Sequence, residues 1–122
     1  MMVPFESGLV AILRTKTKES AREMATSLVA GGIKLIEFTM TTPGALDLVE
    51  EFAHDKSLYV GVGTCLTREH VKGGKKAGAQ FIISPNTDRD VIEETKNQGL
   101  ISIPGVASAT DVGNALKYGA DV

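Results

Sequence analysis

The chain has 122 residues, a formal net charge of −2 and 43% hydrophobic residues, which bounds it to one domain (residues 1–122) with a core to bury and leaves no excess positive charge to hold nucleic acid. With no Trp and only 5% aromatic residues the core has to be aliphatic, which suits a compact α/β interior. The single cysteine, Cys65, excludes an intrachain disulfide, and the segment from Met1 to Glu6 has no basic and apolar leader, nor is any apolar run long enough to span a bilayer, so a soluble cytoplasmic protein without a membrane partner is expected.

Apolar runs and amphipathic stretches alternate along the chain at the spacing of βα units. Leu9 to Leu13 reads as the first strand, and Ala21, Met24, Ala25 and Leu28 give the next segment, Lys18 to Ala30, a helical stripe that Gly31-Gly32 ends. Leu35 to Met40 is the second strand. Thr42-Pro43 is expected to open the second helix, with the proline in the first turn, where a missing N–H does no harm, and with Leu46, Val49 and Phe52 buried. Leu58 to Val62 is the third strand. Thr67 can cap a third helix running to Ala77, although Gly73-Gly74 costs that helix about 1 kcal/mol per glycine relative to alanine. Phe81 to Ser84 forms the fourth strand, Asp88 caps a helix reaching Asn97, and Leu100 to Pro104 forms the fifth strand. A fifth helix, Ala109 to Tyr118, ends at Gly119, and Ala120-Asp121-Val122 starts a sixth strand.

Five such units followed by a strand start fit a (β/α)8 barrel in part, and they fit an open five-stranded flavodoxin-like sheet equally well. In either arrangement the residue that stands out is Glu37. It lies inside Leu35-Ile36-Glu37-Phe38-Thr39-Met40, where an ionisable group is costly unless it has a partner or a task. Two readings follow from the residues: a general acid/base in a partly dry pocket, or a buried carboxylate held by Thr39 or Arg14. Gly61-Val62-Gly63-Thr64 is too short and too poor in glycine for a dinucleotide fingerprint, so its glycines point to a close approach of backbone to ligand or to tight packing. Ser84-Pro85-Asn86 is a rigid turn at a strand end. His54 and His70 stand apart, without a second ligand nearby, and no metal is expected.

Val10 to Arg14, Ala30 to Thr39, Val60 to Thr64, Ala77 to Pro85 and Ile103 to Val106 together resemble the 2-keto-3-deoxy-6-phosphogluconate (KDPG) and 4-hydroxy-2-oxoglutarate (KHG) aldolase family. The resemblance implies a (β/α)8 barrel, trimeric and without cofactor, that cleaves a 2-keto-4-hydroxy acid to pyruvate and an aldehyde through a lysine Schiff base. It implies Glu37 as the acid/base, Arg14 as the grip on the keto acid's carboxylate, and Thr39, Gly63, Thr64 and Pro85 as residues lining the pocket. Thr41 stands where some members carry an arginine. The family's lysine belongs to strand six, a few residues past Val122, and none of Lys16, Lys18, Lys34, Lys56, Lys72, Lys75, Lys76, Lys96 or Lys117 matches it.

Two other classes are carried alongside. A phosphosugar barrel of another kind would need ligand groups on later strands. A non-catalytic, receiver-like binding module would need an acidic pair after strand one and an aspartate ending strand three, where Leu13-Arg14 and Gly63-Thr64 stand instead. Five strands ending in open edges also predict an oligomer, or else a rearranged open sheet.

Overall fold

The computed structural model describes residues 8–122; the reading of Met1 to Glu6 as free of a leader lies outside them. Five strands, β1 (Ala11–Leu13), β2 (Leu35–Thr39), β3 (Tyr59–Gly63), β4 (Phe81–Ser84) and β5 (Ile101–Pro104), alternate with five helices, α1 (Lys18–Ala30), α2 (Ala45–Ala53), α3 (Arg68–Ala77), α4 (Arg89–Asn97) and α5 (Ala109–Tyr118). All neighbouring strands are parallel, and their spatial order is the chain order, β1-β2-β3-β4-β5. That order separates the two architectures left open above. A flavodoxin-like sheet reverses direction beside its first strand, whereas a barrel adds each strand on the same side of the last. Each helix packs against the next, α1 on α2 through to α4 on α5, forming one layer on one side of the sheet as the outer ring of a β/α barrel does. No helix of the described residues is long and apolar enough to cross a membrane.

Side chains alternate across each strand. Ile36 and Phe38 of β2 and Val60 and Val62 of β3 face the helices and are completely buried with Leu13, Ala21, Ala25, Leu48, Val49 and Val71. Leu35, Glu37 and Thr39 point the other way, into the concave face, and all three are buried as well.

Local chemistry fixes most helix ends. Thr17, Thr67, Asp88 and Ser108 each accept a backbone N–H of the first turn through the side chain. Helix α3 forms despite its two glycines, for a steric reason. A Cβ on Gly74 would stand 3.1 Å from Val62 and 3.2 Å from Ile82, and one on Gly73 would stand 3.0 Å from Leu46 of α2, so the bare backbone lets the helix sit close to sheet and neighbour.

Three expectations need correction. Helix α2 starts at Ala45 and not at Thr42-Pro43: Thr42 is held to the ends of β1 and β2, and the chain turns through a left-handed Gly44 (φ +69°) before the helix can begin. Its fully buried residues are Ala45, Leu48 and Val49, while Leu46 and Phe52 are half-buried and serve the helix–helix seams. On α1, Met24 is 48% exposed and Ala21 and Ala25 alone are fully buried, because the face turned to the core runs through Ala21 and Ala25, with Leu28 and Val29 packed partly buried against it. The residues after α5 form no regular strand, yet they run along β5. The Asp121 and Val122 amides both donate to the Ser102 carbonyl, and the Ser102 amide donates to the Asp121 carboxylate at 2.8 Å. Lys96 supplies the countercharge to Asp121.

Candidate functional site

The concave face at the C-terminal ends of the strands is where β/α barrels place their chemistry, and the sequence puts Glu37 there by period-two alternation along β2. In register it lies between Ile12 of β1 and Gly61 of β3. It is 2% exposed, and its Oε2 atom has no hydrogen-bond partner among the described residues. Neither Thr39 nor Arg14 holds it by a hydrogen bond, so the reading of Glu37 as a carboxylate satisfied by those two is not what the structure contains. Burial pushes its pKa up from the ordinary 4.5 to about 7, against the smaller opposing pull of the Arg14 charge. A carboxyl group near neutrality can give and take a proton at physiological pH.

The room for Glu37 is made by its neighbours on β3. A Cβ at Gly63 would fall inside the Glu37 carboxylate, and a Cβ at Gly61 would fall inside the ring of Phe81, which faces inward from β4. Gly61-Val62-Gly63 is therefore a slot cut in β3, one glycine for the acid and one for the aromatic ring beside it. The sequence showed the glycines without showing what they make room for.

Beyond this slot the strand ends bring Arg14 and Thr64 together. Arg14 follows β1 and is exposed; its Nη2 donates to Thr64 Oγ1 at 3.0 Å across 50 residues of sequence. Thr64 follows Gly63 with φ +57°, in the left-handed region that β-branched residues rarely enter. Such strain at a strand end in a concave site is a marker of function. Cys65, next in the chain, is buried, and burial together with the Glu37 charge pushes its thiol up to about 12. It is a packed, neutral group and not a nucleophile.

Thr39 is fully buried, and its hydroxyl lies within hydrogen-bonding distance of Thr41 Oγ1 (2.9 Å), Thr42 Oγ1 (3.2 Å) and the Leu13 carbonyl (3.4 Å). Thr42 in turn accepts the Thr15 amide and donates to Leu13. This hydroxyl cluster ties the end of β1, which carries Arg14, to the end of β2. Thr15 and Thr42 were missed from the sequence, where only the run of threonines from Thr39 to Thr42 hinted at them. Pro85 lies apart from the Glu37 group. It lines a polar cleft of about 380 Å3 with Asn86, Thr87 and Gly105, where its carbonyl packs against Gly105 so closely that a Cβ there has no space. The lysines are all exposed or half-exposed, with Lys18 and Lys96 in ion pairs to Asp47 and Asp121.

Comparison with known proteins gives the family and the fold. The family model described as KDPG and KHG aldolase matches residues 5–122. The 2-dehydro-3-deoxy-phosphogluconate aldolase of Treponema pallidum is 32% identical over 115 residues, covering 93% of this chain and 55% of the relative. The enzyme of the same description from Zymomonas mobilis is 35% identical over 101 residues, covering 83% of this chain and 49% of the relative. Among solved structures, one described as native KDPGal superposes with a TM-score of 0.88 at 29% identity, over 98% of this chain and 59% of that one. The KDPG aldolase crystal structure from Zymomonas mobilis ATCC 29191 gives 0.82 at 32% identity, over 92% and 54%. A dihydropteroate synthase from Yersinia pestis, at TM-score 0.70 and 16% identity, shares the fold alone. The chain spans about half the length of the curated relatives it matches. With five parallel strands in barrel order and a family match along nearly all of its length, the chain belongs to the KDPG and KHG aldolase family.

Proposed function

We propose that residues 1–122 are part of a single β/α-barrel domain of a class I aldolase, which cleaves a 2-keto-4-hydroxy acid to pyruvate and an aldehyde, and that Glu37 is its acid/base. The observation that carries this reading is the buried Glu37 carboxyl, whose Oε2 has no hydrogen-bond partner among the described residues, with its pKa near 7 and set over Gly63. In the reaction a lysine amine adds to the keto carbon. Glu37 in its protonated form gives its proton to the carbinolamine hydroxyl, so that water leaves and the Schiff base forms. As a carboxylate it takes the proton from the 4-hydroxyl while the C3–C4 bond breaks, releasing the aldehyde and leaving an enamine. The same proton then returns to the enamine carbon, and water hydrolyses the resulting Schiff base, breaking its C–N bond to release pyruvate and the free lysine amine.

Arg14 grips the substrate's carboxylate with its planar fork, and Thr64 adds its hydroxyl beside it. Gly63 leaves the room in which the Glu37 carboxyl sits, and Thr39 positions the β1 and β2 ends. Pro85 lines its own cleft with Asn86, Thr87 and Gly105. The nucleophilic lysine implied by the resemblance, on strand six, is not among residues 1–122. A homotrimer acting in the cytoplasm completes the proposal; no part of this chemistry requires metal or nucleic acid.

The test supplies the missing strands in trans. The 122-residue protein is co-expressed with the part of the Zymomonas mobilis relative that follows its matched half, and the complex is treated with pyruvate and borohydride. Mass spectrometry is expected to find reduced pyruvate on the relative's lysine, in a yield that collapses when this chain carries Glu37→Gln. Equal yields from wild-type and E37Q complexes of the same stoichiometry would remove Glu37 from the chemistry.

A further inference from the structure

Arg14 and Glu37 share no hydrogen bond, yet the site joins them by a short path. Arg14 donates to Thr64 Oγ1, Thr64 follows Gly63, and the Glu37 carboxyl rests directly over Gly63. On the other side, Ile12, two residues before Arg14, is the register partner of Glu37. We propose that a carboxylate bound on the Arg14–Thr64 pair draws a proton from solvent onto Glu37, so that filling the anion site arms the acid. This rests on the acid/base role proposed above and adds to it a linkage between binding and proton uptake.

Three observations support it. First, the pair is built to take an anion. Arg14 is exposed and uses Nη2 on Thr64, which leaves the rest of its five-donor fork available; Thr64 accepts that bond and keeps its own O–H to donate. The left-handed backbone at Thr64 holds this hydroxyl at the strand end. Second, the positive charge of Arg14 acts on Glu37 and favours the carboxylate. Cys65, the other titratable neighbour, stays a neutral thiol. Third, Glu37 is buried, so an anion that compensates Arg14 weakens the pull opposing desolvation, and the protonated form gains. The proton comes from bulk water, the ligand brings the balancing negative charge, and no bond other than O–H is made. The consequence for catalysis is that the proton needed to expel the carbinolamine hydroxyl is loaded when substrate arrives. Arg14 is thus a positioning and tuning residue as well as an anchor.

The experiment follows the 13C signal of carboxyl-labelled glutamate in the 122-residue protein, with Glu37 assigned by its loss in E37Q. Its titration midpoint is measured with sodium pyruvate and with sodium chloride at matched ionic strength, the chloride series accounting for screening. Pyruvate is expected to move the midpoint upward beyond the chloride control, with net proton uptake at about pH 7. Arg14→Gln is expected to raise the midpoint in the free protein and to abolish the response to pyruvate, while Arg14→Lys keeps part of both. A midpoint indifferent to pyruvate up to its solubility, or an R14Q protein that responds as wild type does, overturns the linkage. Either result would leave Glu37-dependent borohydride trapping standing. Loss of that trapping with the linkage intact would instead overturn the aldolase reading.

Discussion

Replacing Glu37 by glutamine should stabilise the protein at alkaline pH and leave it nearly unchanged in acid. The folded state raises the Glu37 pKa from 4.5 to about 7, so between those values it binds more protons than the unfolded chain. Stability from this group is therefore complete below about pH 4.5 and is lost as pH rises through about 7. At about 1.4 kcal/mol per tenfold change in proton affinity, the loss comes to about 3 kcal/mol. This is a large fraction of the stability of a small domain. Glutamine keeps the shape and cannot ionise, so E37Q should escape the loss, ending about 3 kcal/mol more stable relative to wild type at pH 8 than at pH 4.5. The comparison between pH values cancels the titration of every other carboxylate, and with it any pH-independent difference between the glutamine amide and the protonated carboxyl. Urea denaturation followed by circular dichroism across that pH range measures it. Parallel wild-type and E37Q curves, differing by less than about 1 kcal/mol in their pH dependence, would falsify the claim that an uncompensated carboxylate is buried over Gly63.

Three further outcomes follow from the same geometry. Gly63→Ala should cost about 1–3 kcal/mol in the wild-type background, because its Cβ occupies the space of the Glu37 carboxylate, and much less in an E37A background; a double-mutant cycle by urea melts that gives no coupling would show that Gly63 is there for another reason. Thr64→Gly should hold stability or raise it by up to about 1 kcal/mol, since it releases a left-handed β-branched residue, while lowering pyruvate trapping in the assembled complex; a loss of more than about 1 kcal/mol would mean that the Arg14 bond outweighs the strain. Cys65, buried with a thiol pushed up to about 12, should resist iodoacetamide at neutral pH until the protein is unfolded in urea; rapid stoichiometric labelling of the native protein would contradict its burial.

Much of this molecule was legible in the chain because the signals were local. Helices α1, α3, α4 and α5 run between the residues expected, since an oxygen-bearing cap and a terminal glycine act on the backbone within a few residues of themselves. The alternation of β2 singled out Glu37 as a charge among apolar neighbours, and the order of short motifs pointed to the family. What failed locally was the start of α2: Pro43 and Thr42 read as a helix opening, but the hydroxyl of Thr42 is taken by residues 27 and 29 positions away.

The site itself was decided by pairs that are far apart in sequence. Strand order chose the barrel over the flavodoxin-like sheet, and the register of β2 on β3 placed Glu37 and Thr39 opposite Gly61 and Gly63. Only that register shows why two glycines stand in an otherwise apolar strand, and only the meeting of two strand ends joins Arg14 to Thr64. Amphipathic period and capping are properties of consecutive residues and survive in a one-dimensional reading. Desolvation of Glu37, the strain at Thr64 and the Arg14–Thr64 hydrogen bond beside them arise from neighbours brought together by parallel pairing across βα crossovers, so they came into being with the tertiary structure.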